Sequence, residues 1–205
     1  EHELYIIGDE VYREFCYDGD TTPRSMAQLA DVAENVVIID SVSKRFSACG
    51  ARIGALLSKN RELMANALKF CQARLSVATL DQVASAALYT VGPDYFDAVR
   101  EEYRRRRDTV VAALKAIPGV VCECPQGAFY LMAKLPVDDA DRFQQWLLEE
   151  FDDAGETVMF APGASFYQTP GKGRDEIRIA YVLNCRDSAR AIELLGKGIE
   201  RYNAR

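Results

Sequence analysis

Lys44 stands in the grouping of this chain best suited to chemistry: Ser41 and Ser43 precede it, and Arg52 follows between Gly50 and Gly54. An amine at the lip of a buried strand can lose enough solvent to become a nucleophile or a proton carrier. Hydroxyls and a guanidinium close by form a shell for an anion, above all a phosphate dianion. Earlier in the chain Asp9 and Tyr12 add a carboxylate and a phenol three residues apart.

Together these types suit a heterocyclic ligand that carries a ring nitrogen, a phenolic oxygen, an aldehyde and a phosphate. A carboxylate keeps a pyridine nitrogen protonated, so that the ring becomes an electron sink. A tyrosine hydroxyl donates to the phenolic oxygen and lowers the pKa of a neighbouring imine. Each residue taken alone has a plainer use. Asp9 suits a turn or helix cap, Tyr12 an ordinary core, and Arg52 a carboxylate partner, while strand-end lysines commonly snorkel to water. The weight lies in their conjunction.

The elements that must position them are those of a parallel α/β sheet. The apolar run 4–7 reads as a strand closed by Gly8, with Asp9 at the carboxyl edge where open parallel sheets place ligands. Residues 16–23 read as loop, and Ser25 caps a short helix through Ala30. The run 36–39 is a second buried strand and 51–57 a third, of unreadable direction. Helices follow over 60–74 and 81–90, and a long one over 94–116. Its four successive arginines, 104–107, lie among Glu101, Glu102 and Asp108, which favours a solvated or interfacial face over a nucleic-acid stripe.

Pro118-Gly119 marks a change of character. Strands over 120–124 and 128–135 form a hairpin-like unit around the turn 125–127. A helix over 138–152 sets Phe143, Trp146, Leu147 and Phe151 on its apolar side. Short strands at 158–160 and 176–182 and a closing helix over 187–202 complete a small α+β domain with helices on one sheet face.

Composition narrows the classes. In 205 residues, 49% hydrophobic and 27% charged, there is room for a substantial core. A formal charge of −6 argues against nucleic acid as a general partner, and no apolar run approaches a membrane span. Six cysteines without framework spacing read as free thiols of a reducing compartment, with Cys122 and Cys124 on one strand face. One histidine, His2, argues against a histidine triad or a zinc centre, and no metal is expected.

The segment Ser41-Val42-Ser43-Lys44-Arg45-Phe46-Ser47-Ala48-Cys49-Gly50-Ala51-Arg52-Ile53-Gly54 resembles the pyridoxal-phosphate attachment signature of the class I/II aminotransferases of fold type I. Asp9-Glu10-Val11-Tyr12 resembles the family's preceding element. Gln126-Gly127-Ala128-Phe129-Tyr130, Pro162-Gly163-Ala164-Ser165-Phe166 and Arg178-Ile179-Ala180-Tyr181 resemble elements of its small domain. The likeness covers the carboxyl half of such a protein. It implies the last part of a cofactor-binding large domain, a mostly parallel sheet with helices, over residues 1–92. A connecting helix and a small α+β domain are implied over 93–205.

By that resemblance the cofactor is pyridoxal 5'-phosphate, carried as a Schiff base on Lys44, which also shuttles the proton at the substrate α-carbon. Asp9 would pair with the ring nitrogen and Tyr12 with the 3′ oxygen. Ser41, Ser43 and Arg52 would hold the phosphate, and Arg178 would clamp the substrate carboxylate. The implied activity is ping-pong transfer of an amino group from an α-amino acid, aspartate among the candidates, to a 2-oxo acid, in a cytoplasmic homodimer. A β- or γ-eliminating lyase on the same fold and a non-catalytic effector domain of a transcriptional regulator are the competing expectations. With the family's first half outside these residues, the chain alone is expected to lack transamination.

Overall fold

The computed structural model describes residues 4–17 and 24–205. His2 and most of the expected loop at 16–23 lie outside the described residues. The chain divides into two compact units, Glu1–Arg100 and Glu101–Arg205, the first α/β with a mixed sheet and the second α+β.

In the first unit, strand β1 (Ile6–Asp9) leads to two 3-10 turns and then strand β2 (Val36–Ser41). The β-branched run Val36-Val37-Ile38-Ile39 favours the extended form, and its first two residues are buried. A single helical turn, α1 (Val42–Arg45), follows directly, and strand β3 (Gly54–Leu57) returns. β1 and β2 pair in parallel, whereas β3 runs antiparallel to β2. Such an edge strand is common on an otherwise parallel sheet.

Helices α2 (Arg61–Ala73) and α3 (Thr79–Leu88) complete this unit, and α4 (Pro93–Lys115) carries the chain into the next. Asn60 starts α2 by accepting the Leu63 amide at 2.8 Å. Pro93 occupies the first position of α4, where its missing N–H costs nothing. No residue of α2 or β3 is buried.

Two expectations change here. The third strand begins at Gly54 and not at 51, because Cys49–Ala51 is a 3-10 turn and Arg52 is left-handed (φ 55°), which interrupts extended chain. The Ser25-capped segment is a 3-10 turn, Met26–Gln28, rather than an α-helix.

The second unit is a four-stranded sheet in the order β4 (Val121–Cys122), β5 (Tyr130–Lys134), β7 (Glu176–Ala180), β6 (Ala161–Pro162), all antiparallel, with α5 (Ala140–Glu149) and α6 (Cys185–Asn203). Across β5 and β7, Leu131 faces Ile179 and Ala133 faces Ile177. That face meets the core of Val110, Leu114, Phe143, Leu147, Ile192 and Leu195, all buried. Tyr130, Met132 and Lys134 pair with Ala180, Arg178 and Glu176 on the opposite face. All four residues expected on the apolar side of α5 are buried.

Residues 158–160 are not a strand. The Phe160 amide donates to the Gln144 side chain at 2.9 Å and the Thr157 hydroxyl to the Leu147 carbonyl at 2.7 Å. Their hydrogen bonds therefore go to α5 rather than to a ladder. Strand β4 stops at Cys122, so Cys122 is buried while Cys124 is exposed, and the shared face expected for them does not form. Arg104, Arg105 and Arg106 pair with glutamates one turn back, as a solvated face requires, but Arg107 is buried and donates to the Pro125 carbonyl. Among the described residues no helix is long and apolar enough to cross a membrane.

Candidate functional site

Sheet topology gathers the candidate residues of the first unit. Asp9 closes β1 opposite Ile39, so the carboxyl ends of the parallel strands β1 and β2 lie at one edge. Ser41 closes β2 opposite Gly54, the first residue of β3. Arg52, two residues before β3, therefore arrives at that same edge from the other direction. Asp9, the following turn with Tyr12, the Ser41–Lys44 turn and Arg52 come from three passages of chain and meet at one end of the sheet.

Ser41 is extended (φ −157°, ψ 148°) and caps α1 by accepting the Ser43 amide at 3.0 Å. Its hydroxyl donates to the Ile53 carbonyl at 2.9 Å and lies 2.8 Å from the Ser43 hydroxyl. These bonds tie the lysine turn to the chain entering β3. Lys44 is half-buried, and the residues around it anchor the turn. Val42 is buried, and Phe46 packs against Tyr89 and Phe96 with ring centroids 5.2 and 5.7 Å apart. The buried Arg45 guanidinium meets Asp40 at 2.7 Å, and Glu14 lies 3.6 Å from its Nε.

Asp9 is exposed; its Oδ1 accepts the Val11 amide at a long 3.4 Å, and it carries no ion pair among the described residues. Tyr12 is half-buried beside Phe15, ring centroids 6.3 Å apart. Arg52 is exposed, and its Nη1 donates to the Cys49 carbonyl at 2.9 Å. An amine, a carboxylate, hydroxyls and a guanidinium at one strand edge can receive an anion that bears a carbonyl and a basic ring. Burial pushes the Cys16 and Cys122 thiols up, which disfavours either as a thiolate nucleophile.

Arg178 belongs to the second unit, on the sheet face away from that unit's core. Its guanidinium lies over the Tyr130 ring at 4.7 Å and the Phe166 ring at 4.5 Å. Neither ring, nor the Asp40–Arg45 pair, stands out in the sequence as part of a site. Strand alternation would have placed Tyr130 and Arg178 on one face only once the β5–β7 register was known.

The family profile described as aminotransferase class I and II matches residues 1–193. An aspartate aminotransferase of Bacillus subtilis is 30% identical over 211 residues, covering 99% of this chain and 51% of the relative. An LL-diaminopimelate aminotransferase of Nitratidesulfovibrio vulgaris is 31% identical over 176 residues, covering 84% of this chain and 43% of the relative. Among solved structures, the α-aminoadipate aminotransferase LysN of Thermus thermophilus, complexed with N-(5'-phosphopyridoxyl)-L-leucine, superposes with a TM-score of 0.84 at 25% identity, covering 98% of this chain and 51% of that one. The chain thus spans about half the length of these relatives.

Proposed function

Because this chain belongs to the class I and II aminotransferases, we propose that it supplies the lysine-bearing part of a pyridoxal-phosphate-dependent transaminase. The donor is an α-amino acid, with aspartate first to be assayed, and the acceptor a 2-oxo acid. The observation that carries this reading is the convergence of Asp9, Lys44 and Arg52 on one sheet edge from three separate passages of chain.

The residues present fit the cofactor. Asp9 has no competing cation among the described residues, so its carboxylate is open to a protonated ring nitrogen. The Tyr12 hydroxyl is assigned to the phenolic oxygen and Arg52 to the phosphate. The Ser41 hydroxyl proton is committed to the Ile53 carbonyl or the Ser43 hydroxyl, so Ser41 assists the phosphate only by exchanging that bond, whereas Ser43 is the helper beside it. Bound there, pyridoxal phosphate would supply an electron sink for negative charge at the substrate α-carbon. Lys44 would hold the cofactor through its amine, and that amine would take the substrate α-proton and return it. Arg178 is assigned to the substrate carboxylate, for which a planar fork suits better than a point charge.

Phe70 and Leu80 are 77% and 83% exposed on α2 and α3, which supports a partner surface there. A homodimer in the cytoplasm is the assembly proposed. Turnover is to be assayed in a chain of the relatives' length. The lysine assignment is tested directly on this chain by incubation with pyridoxal phosphate, borohydride reduction and peptide mass analysis. The label is expected on Lys44 and absent from Lys44→Ala. A label distributed over other lysines, undiminished in that variant, would overturn the assignment.

A further inference from the structure

Arg178 differs from its neighbours in what holds it. Arg104, Arg106, Arg174 and Arg190 of the same unit each have a carboxylate oxygen within 3.0 Å. Arg178 has no such partner among the described residues; its guanidinium carbon lies 4.7 Å from the centre of the Tyr130 ring and 4.5 Å from that of Phe166. The one carboxylate on its own strand, Glu176, accepts the Tyr167 hydroxyl through Oε2. A ring face attracts a cation without taking its in-plane N–H groups. The charge is therefore held while the hydrogen-bonding fork stays unspent.

Both rings reach Arg178 by construction. Met132 is its partner across β5, which makes Tyr130 the diagonal neighbour on the same face. On the other side Ala161 pairs with Arg178, and the chain then turns at Gly163 into the 3-10 turn Ala164–Phe166. The Gly163 amide donates to the Glu176 carbonyl at 2.7 Å, and a Cβ at Gly163 would lie only 2.7 Å from that oxygen. The turn is thus clamped against β7 with no room for a side chain, and Phe166 is carried over the guanidinium.

We propose that Tyr130 and Phe166 are positioning residues for Arg178. They hold the guanidinium by its faces and leave its N–H edge ready for a carboxylate, so that less side-chain freedom is lost when the carboxylate arrives. The proposal rests on the reading of Arg178 as the substrate-carboxylate clamp and adds what aims it.

The test follows the Arg178 side-chain Nε–Hε resonance of the 15N-labelled chain, assigned by its loss in Arg178→Lys, during an acetate titration at constant ionic strength. In the native chain that resonance moves with acetate, and rotation about the Nε–Cζ bond is slowed. Phe166→Leu and Tyr130→Leu are expected to speed that rotation and weaken acetate binding about two- to fivefold. Tyr130→Phe, which keeps the ring, is expected to retain both properties. Phe166 is 48% exposed in a turn, so its variant carries the test even where Tyr130→Leu disturbs the sheet. Leucine variants with native rotation and native affinity would overturn the proposal while leaving Arg178 as the clamp. Acetate-induced shifts of the backbone amides of β7, followed in the same titration, that stay undiminished in Arg178→Lys would remove the clamp itself, and the proposal with it.

Discussion

Arg45 and Asp40 meet at 2.7 Å across the turn that carries Lys44, with both side chains largely withdrawn from solvent. The pair joins the last residue of α1 to the end of β2, and Asp40 also accepts the Ser41 amide at 2.8 Å. Removing one member leaves a buried charge without its partner. Arg45→Met should therefore cost about 3 kcal/mol in urea unfolding, and Asp40→Leu added to it should restore most of the loss. A double variant no more stable than the single one would show that the pair is not what holds the turn.

Arg52 occupies a backbone conformation that glycine tolerates and arginine resists (φ 55°, ψ 35°). Its retention there is explained if the guanidinium is needed at the sheet edge. Arg52→Gly should raise stability by about 1 kcal/mol. The same change should weaken retention of pyridoxal phosphate about tenfold, in keeping with the loss of one charge-assisted hydrogen bond. Unfolding midpoint and equilibrium dialysis read the two effects separately, and a variant that gains stability with undiminished retention would take Arg52 out of the phosphate site.

Two glycines of α6 should respond in opposite directions. A Cβ at Gly196 meets only Ile117, at an ordinary 3.4 Å, so Gly196→Ala should gain about 0.5–1 kcal/mol from helix propensity. At Gly198 the added atom would lie 2.7 Å from Leu147 Cδ2 inside the α5–α6 contact, and overpacking there should cost about 1–3 kcal/mol. Thermal unfolding of the two variants side by side decides the matter.

Asp139 caps α5 by accepting the Asp141 and Arg142 amides and receives the Arg174 guanidinium at 3.0 Å. The Arg142 amide first, and Arg174 after it, hold this carboxyl below the usual aspartate range. A carboxyl lowered in the folded state contributes stability above its unfolded pKa of about 3.9, and the contribution fades as pH falls through the folded value. Asp139→Ala should thus cost about 1 kcal/mol at pH 7 and progressively less below pH 4. Urea midpoints between pH 2.5 and 7 check it; a cost that stays constant across that range would contradict the assignment.

Much of the architecture can be read from local pattern because its causes are local. The β-branched run before Ser41, the cap at Asn60 and the spacing of Phe143, Trp146 and Leu147 each act within a few residues. The lysine grouping was legible for the same reason, being nearly contiguous. What escaped depends on partners far away in sequence. The direction of β3 follows from pairing with β2. The strand expected at 158–160 is lost to hydrogen bonds offered by α5. Arg107 is drawn inside by the Pro125 carbonyl, and the company of Arg178 follows from a register between two strands. Arg52 escaped differently: glycines flank it, yet the arginine itself takes the left-handed turn.

The bond from the Ser41 hydroxyl to the Ile53 carbonyl closes the chain between them into a ring with a fixed base, and Lys44 and Arg52 both stand on that ring. In the proposed transamination the Lys44 amine would have to swing free of its ligand and come back while Arg52 keeps the anion moored. A ring pinned at its neck permits that division of labour, since the long lysine side chain can swing over a frame that does not. The same pinning gives the two groups a common fate: a local opening at the neck would release amine and anchor together, leaving the strands beneath intact.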